Sequence, residues 1–207
     1  MNRKKHWEEI YTTKELQDVS WHQMTPETSL QLINKLKLTK NASIIDIGGG
    51  DSLLVDHLLD LGYTDITVLD ISQQAIDKAK KRLGERLTEV TWIVTDITDF
   101  TSQKRYDLWH DRAAFHFLTA QNDINTYAST LSQSIQENGT AIIGTFSKSG
   151  PKKCSSIKIK QYDQGGFETT FGENFSTKDF INVDHLTPTK NEQNFNFITL
   201  EKRRVLN

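Results

Sequence analysis

The run Ser43-Ile44-Ile45-Asp46-Ile47, followed at once by Gly48-Gly49-Gly50, constrains this chain more than any other stretch. A short β-branched run reads as a buried strand, and the glycines behind it read as a tight turn. From Ser52 to Leu61 the apolar residues fall at 53, 54, 55, 58, 59 and 61, one face of a helix that stops at Gly62. The alternation continues. Ile66–Leu69 is a second strand, and Ser72 caps a helix over Gln73–Leu83 that ends at Gly84. Val90–Val94 and Tyr106–Trp109 are strands three and four. Ile124–Gln136 is a helix stopped by Asn138-Gly139, and Thr140–Phe146 is strand five. Such an order predicts a doubly wound, mostly parallel α/β sheet with right-handed crossovers. The tail breaks the rhythm: Ser176–Asp184 and Asn194–Lys202, with Pro188 between them, predict an antiparallel hairpin at one edge, for seven strands in all. The segment from Lys5 to about Leu36 is expected to be helical in parts and to lie outside the sheet. The chain reads as one domain, with residues 1–40 as a lid and 41–207 as the core.

Composition narrows the class. The chain has 207 residues, 36% of them apolar and 25% charged. That length allows roughly 70% of the unfolded surface to be buried in a core without disulfides or metals. No apolar stretch approaches the roughly 20 residues that span a bilayer, and Met1–Tyr11 has no apolar signal region. Cys154 is the single cysteine, which excludes an internal disulfide. A cytoplasmic protein without a membrane partner is expected. A net charge of −2 argues against a phosphate-tracking surface, and hence against nucleic acid. The basic run Lys78–Arg82 sits late in a helix, where cations suit the dipole and a solvated face explains them. Histidines at 6, 22, 57, 110, 116 and 185 form no ligand-like pair, so no metal is expected.

In an open α/β sheet, ligands bind beyond the carboxyl ends of the strands. Asp46, Gly48, Gly49, Gly50 and Ser52 follow the first strand, where bare backbone lets a ligand approach closely. Asp70, with Ile71 beside it, closes the second strand and can accept hydrogen bonds from both hydroxyls of a ribose. Asp96, followed by Ile97, stands after the third and can accept from an adenine amino group. A dinucleotide loop needs a third glycine where this chain has Leu53, and Asp51 at the helix entrance would repel a pyrophosphate. S-adenosylmethionine (SAM) carries no phosphate and suits the same residues.

With those residues in place, the chain resembles class I SAM-dependent methyltransferases. More narrowly, it resembles a largely uncharacterised bacterial-type subgroup along nearly its full length. The resemblance is carried by His6-Trp7-Glu8, Tyr11, Ser20–Gln23, Ile45–Leu54, Thr67–Ser72, Tyr106–Arg112, Phe115–Thr119, Gly150-Pro151, Cys154-Ser155, His185 and Thr187-Pro188. The glycine loop is shared by the whole superfamily, whereas Trp109-His110-Asp111-Arg112 and the Pro-x-x-Cys-Ser stretch are specific to the subgroup. The resemblance implies that Asp46, Gly48, Gly50 and Ser52 line the methionine part of SAM, that Asp70 holds the ribose, and that Asp96 and the Ile97 backbone hold the adenine. Tyr11 and Trp21 look like lid residues. Two departures stand out. Ser52 replaces the superfamily's third loop glycine, and Ser156-Ile157-Lys158 replaces the subgroup's Gly-Leu-Pro.

Methyl transfer is an in-line displacement in which positioning dominates, and its other requirement is a nucleophile with a free lone pair. His110, Asp111 and His116 follow the fourth strand as base candidates, with Asp111 preferred and His110 next to the expected transfer position. Each has a bland alternative. Asp111 and Arg112 also read as an ion pair, His110 and His185 as structural histidines, His116 as a satisfied core histidine, and Cys154 as a buried thiol. The acceptor is expected to be a small molecule, with a protein lysine or a non-catalytic SAM-binding role as alternatives. A nucleic-acid amino group fits poorly, because no Pro-Pro-aromatic loop follows the fourth strand.

Overall fold

A computed structural model describes residues 2–204. The N-terminal segment forms α1 (Arg3–Thr13), a single 3₁₀ turn and α2 (Glu27–Lys35). The core then runs β1 (Ser43–Ile47), α3 (Leu54–Asp60), β2 (Asp65–Asp70), α4 (Gln73–Leu83), β3 (Val90–Val94), β4 (Tyr106–Arg112), α5 (Gln121–Ser134) and β5 (Ile135–Phe146). A small ladder of β6 (Lys153–Cys154) and β7 (Ile157–Lys158) precedes α6 (Gln164–Phe171), β8 (Phe175–Leu186) and β9 (Glu192–Lys202). The main sheet has seven strands in the order β3-β2-β1-β4-β5-β9-β8. Its first five strands are parallel, and β9 and β8 add the antiparallel hairpin. Among the described residues no helix is long and apolar enough to cross a membrane.

Side-chain alternation sends successive strand residues to opposite faces, and each face builds its own core. Ile45, Ile47 and Trp109 pack with Tyr127 and Leu131 of α5 and Phe167 and Phe171 of α6. Ile44, Leu108 and Ile142 pack on the other side with Leu32 and Ile33 of α2 and Leu54 and Leu58 of α3. Local signals set the helix ends. The Ser72 hydroxyl accepts from Ala75 N at 3.2 Å to cap α4, and Gly84 at φ 61° stops it.

Three expectations need correction. Helix α5 ends at Ser134, and the pair taken for its stop lies inside β5, where Asn138 (φ 63°) falls within an irregularity of the β4–β5 register. Helix α6 was not anticipated, because Gly165 and Gly166 weaken its pattern; Phe167 and Phe171, buried four residues apart, hold it to the sheet. The basic run of α4 is more than a solvated face. Lys78 Nζ donates to Lys14 O at 2.7 Å, and Arg82 pairs with Asp51 and with Asp56.

The β6–β7 turn explains the departure at Ser156. Ser155 and Ser156 both adopt left-handed φ, 48° and 66°, as a two-residue hairpin turn of this twist requires. Serine strains that conformation and glycine does not. Ser156→Gly should therefore raise stability by about 1 kcal/mol, measured as an upward shift in the thermal unfolding midpoint.

Candidate active site

The parallel register brings the carboxyl tips of β1, β2, β3 and β4 to one level. A cleft opens there, lined by Gly48, Asp70, Ile71, Asp96, Ile97 and Arg112, with Arg3, Trp7, Tyr11 and Trp21 above them. The glycine loop forms the near wall. Gly48 N donates to Leu69 O at 2.7 Å, tying the loop to the tip of β2. Gly50 sits at φ 44°, and a Cβ there would lie 2.7 Å from Asp70 Oδ2 and 3.0 Å from the Tyr11 hydroxyl. Only glycine fits that position.

Asp70 is 5% exposed. Its Oδ1 accepts from Ser72 N at 2.8 Å, while Oδ2 faces the glycine loop. Burial pushes its carboxyl up to about 7, against the pull of the Ser72 amide. The ionised form is the one that burial penalises. Its contribution to stability is therefore complete below the ordinary carboxylate range and is lost as pH rises through about 7. Asp96 is already busy. It accepts from Thr98 N at 3.0 Å, from the Thr98 hydroxyl at 2.8 Å and from Arg3 Nε at 2.9 Å. A carboxylate offers about four lone-pair sites, so one remains for a ligand amine.

Helix α1 roofs the cleft. Arg3, Trp7 and Tyr11 recur every fourth residue on one face, and that spacing is a sequence signal that would have exposed Arg3 and Trp7 as site residues. Trp7 and Trp21 meet edge-on at 5.7 Å, and Trp7 and Phe117 at 4.9 Å. Two polar latches hold the helix. Arg3 reaches Asp123 at 2.6 Å as well as Asp96. Glu8 accepts from Gln73 N at 2.8 Å, Gln74 N at 3.1 Å and the Ser72 hydroxyl at 2.9 Å, which satisfies amides at the start of α4. Partial burial costs that carboxylate something, but the Gln74 and Gln73 amides hold it below its ordinary range.

The three residues that close β4 part company. Asp46 and His110 are paired in register, and His110 Nδ1 lies 2.7 Å from Asp46 Oδ1. Its Nε2 lies 2.8 Å from the Ser29 hydroxyl of α2. Both ring nitrogens are committed, and His110 does not reach the main cleft. It lines a smaller recess beneath the loop, with Asp46, Gly49, Ser52 and Trp21. Asp111 faces the opposite core and is fully buried. It accepts from Ala114 N at 2.9 Å, Phe115 N at 3.1 Å and the Tyr127 hydroxyl at 2.7 Å, and Tyr127 in turn accepts from Trp109 Nε1 at 2.9 Å. Burial keeps its carboxyl high, at about 6, despite these donors. The Asp111–Arg112 ion pair does not form, because neighbours on a strand point to opposite faces.

His116 is buried, and its Nδ1 accepts from Phe146 N at 3.3 Å; burial, aided by Arg112, pushes it down to about 3. Cys154 lines the cleft as a thiol, pushed up to about 11 by burial. His185 bonds Ser20 O through Nε2 at 2.8 Å. Asp51 is paired with Arg82 and lines neither the cleft nor the recess, so the exclusion of a pyrophosphate does not rest on its charge.

Residues 45–141 match the family model described as a methyltransferase domain. The chain is similar, at 32% identity, to a malonyl-[acyl-carrier protein] O-methyltransferase of Anoxybacillus flavithermus over 105 residues, 50% of this chain and 39% of that protein. It is 30% identical to a mouse eEF1A lysine and N-terminal methyltransferase over 95 residues, 45% of this chain and 13% of that protein. It therefore spans less than half the length of either curated relative. An N-methyltransferase of Bradyrhizobium japonicum, solved with S-adenosyl-L-homocysteine (SAH), superposes with a TM-score of 0.73 at 15% identity, covering 98% of this chain and 100% of that one. The fold is the Rossmann-like methyltransferase fold. The matched segment begins within β1 and ends within β5, so it contains the glycine loop, Asp70, Asp96 and all of β4.

Asp111→Ala would strand two backbone amides and a tyrosine hydroxyl. It should cost about 3 kcal/mol, seen as a lower thermal midpoint. Lost turnover at an unchanged midpoint would instead restore Asp111 as a reacting group.

Proposed function

We propose that this chain is a SAM-dependent methyltransferase acting on a small-molecule acceptor. The observation that carries the reading is the free Oδ2 of buried Asp70, set against a loop that tolerates no Cβ. That pairing suits a ribose whose two hydroxyls donate to a carboxylate while bare backbone lies against the rest of the nucleoside. Asp46, Gly48, Gly49, Gly50 and Ser52 would line the methionine portion, with Asp70 and Ile71 at the ribose. Ile97 and the remaining acceptor site of Asp96 would take the adenine. Tyr11, Trp21 and Trp7 would close over the top. When bound, SAM supplies an electrophilic methyl group on a sulfonium, and the aromatic roof favours that positive charge through its ring faces. The chain's own contribution is to align the acceptor and to exclude water beneath α1.

The curated relatives' names support methyl transfer to oxygen and, for the mouse enzyme, to lysine or an N-terminus. The roofed cleft favours the small acceptor, because α1 and its aromatic face leave little room for a protein chain.

Ribose hydroxyls donate best to the ionised carboxylate, so binding should pull the Asp70 proton off. Calorimetry with SAH should show affinity rising about tenfold from pH 6 to pH 8 in the wild-type protein. Asp70→Asn should bind more weakly and flatten that profile. An Asp70→Asn protein with wild-type affinity and slope would defeat the ribose assignment, and a wild-type protein that ignores SAH would defeat the reading itself.

A further inference from the structure

Arg112 closes β4 on the α2 face, and its guanidinium is poorly satisfied. Of five N–H donors, one is used among the described residues: Nη1 donates to Trp21 O at 2.9 Å. Nη2 is buried without a partner. The planar head packs over the Phe195 ring at 5.0 Å, and no carboxylate of the described residues lies within ion-pair distance. Burial pushes the group down to about 10, opposed by Cys154 first and then by Asp46, neither of which pairs with it. The residue as a whole is half-buried, but a buried guanidinium nitrogen without a partner is costly to a fold that gains nothing from it.

Its position is equally informative. Arg112 lines the main cleft, the recess beneath the glycine loop, and a third cavity walled by His22, His185, Phe195 and Phe197. Phe195 and Phe197 belong to β9, which lies beyond β5 in the sheet, so the stack sets one face of the guanidinium toward the β9 side, while the recess it also lines reaches the glycine loop. Around it the cleft is apolar, with Trp7, Trp21, Phe117 and Leu118.

His110 has both ring nitrogens committed, and Asp111 lies on the other face. His116 is held neutral in the core with Nδ1 occupied, and Cys154 is a thiol. An acceptor in the main cleft that had to lose a proton would find no free, basic group among these four; His22 lines the recess and the third cavity beside Arg112 but not the main cleft. A carboxylate needs none.

We infer that Arg112 is the anion-binding, specificity-determining residue of the acceptor site, and that the acceptor is a small carboxylate with an apolar body. The inference rests on the methyltransferase reading above. In the transfer, a carboxylate oxygen lone pair forms the new C–O bond. The S–CH₃ bond breaks with its electron pair left on sulfur, sulfonium and carboxylate charges cancel, and no proton moves. The same guanidinium chemistry could instead serve the amino-acid carboxylate of the cofactor, and the test separates the two.

Trp7 and Trp21 line the cleft, so tryptophan fluorescence reads ligand entry. Phenylacetate and hexanoate would be titrated against their neutral amides, with and without saturating SAH. The wild-type protein should prefer the carboxylates by at least about tenfold, or about 1.4 kcal/mol. Arg112→Gln should erase that preference with SAH affinity within about twofold of wild type, and Arg112→Lys should keep part of it. Equal binding of acids and amides by the wild-type protein, a comparison that needs no variant, overturns the proposal. So does an Arg112→Gln protein that loses SAH affinity but keeps affinity for 5′-methylthioadenosine, which lacks the amino-acid carboxylate. A wild-type protein that prefers carboxylates yet ignores SAH would sink the methyltransferase reading and leave the anion site standing.

Discussion

The site depends on the parallel register of β1 with its two neighbours. Ile47 stands beside Leu69 on one side and Asp111 on the other, so the strand tips end at a common level. The Asp46–His110 contact pins that register from within. Its two members are paired across the strands, meet at 2.7 Å in a nearly dry setting, and are tied to α2 through Ser29. A one-residue slip would turn Asp46 and His110 into the opposite core and misplace the glycine loop against Asp70. The loop can lie so close to Asp70 and Tyr11 only because the register holds and because glycine occupies position 50.

Strand β4 then sorts its polar residues by face. His110 and Arg112 fall on the α2 side, and Asp111 falls under α5. The Trp109–Tyr127–Asp111 chain uses the carboxylate to anchor the turn after β4, where Ala114 and Phe117 form part of the cleft wall. Asp111 thus shapes the wall without facing it. Arg112 does face it, and its unused donors are the wall's main source of positive charge beyond Arg3.

The roof is assembled by electrostatics as much as by packing. Helix α1 makes its main polar contacts through Arg3 and Glu8, one at the tip of β3 and the other at the start of α4. Glu8 does for α4 what a capping side chain does locally, but from a distant segment. Movement of α1 would expose those amides and Asp96 together, so the roof and the β3 side of the cleft are coupled.

Much of the fold was legible in the sequence. The order of strands and helices, the edge hairpin and the carboxylates at the carboxyl ends of β1, β2 and β3 follow from local periodicity, caps and glycines, which are short-range properties of the chain. The expectation that Tyr11 and Trp21 are lid residues comes from resemblance; the structure shows that both line the cleft. Trp7 and Arg3 were missed although their spacing with Tyr11 is visible in the sequence. Helix α6 and the start of β5 escaped because glycines and an asparagine weaken the local pattern while tertiary contacts supply what it lacks. Local sequence determined that acidic and glycine-rich tips would gather along one edge of a doubly wound sheet. Only the tertiary structure decided which of His110, Asp111 and Arg112 meets the cleft. Alternation divides them between two faces, but which face is roofed and which is filled depends on the distant helices that pack there.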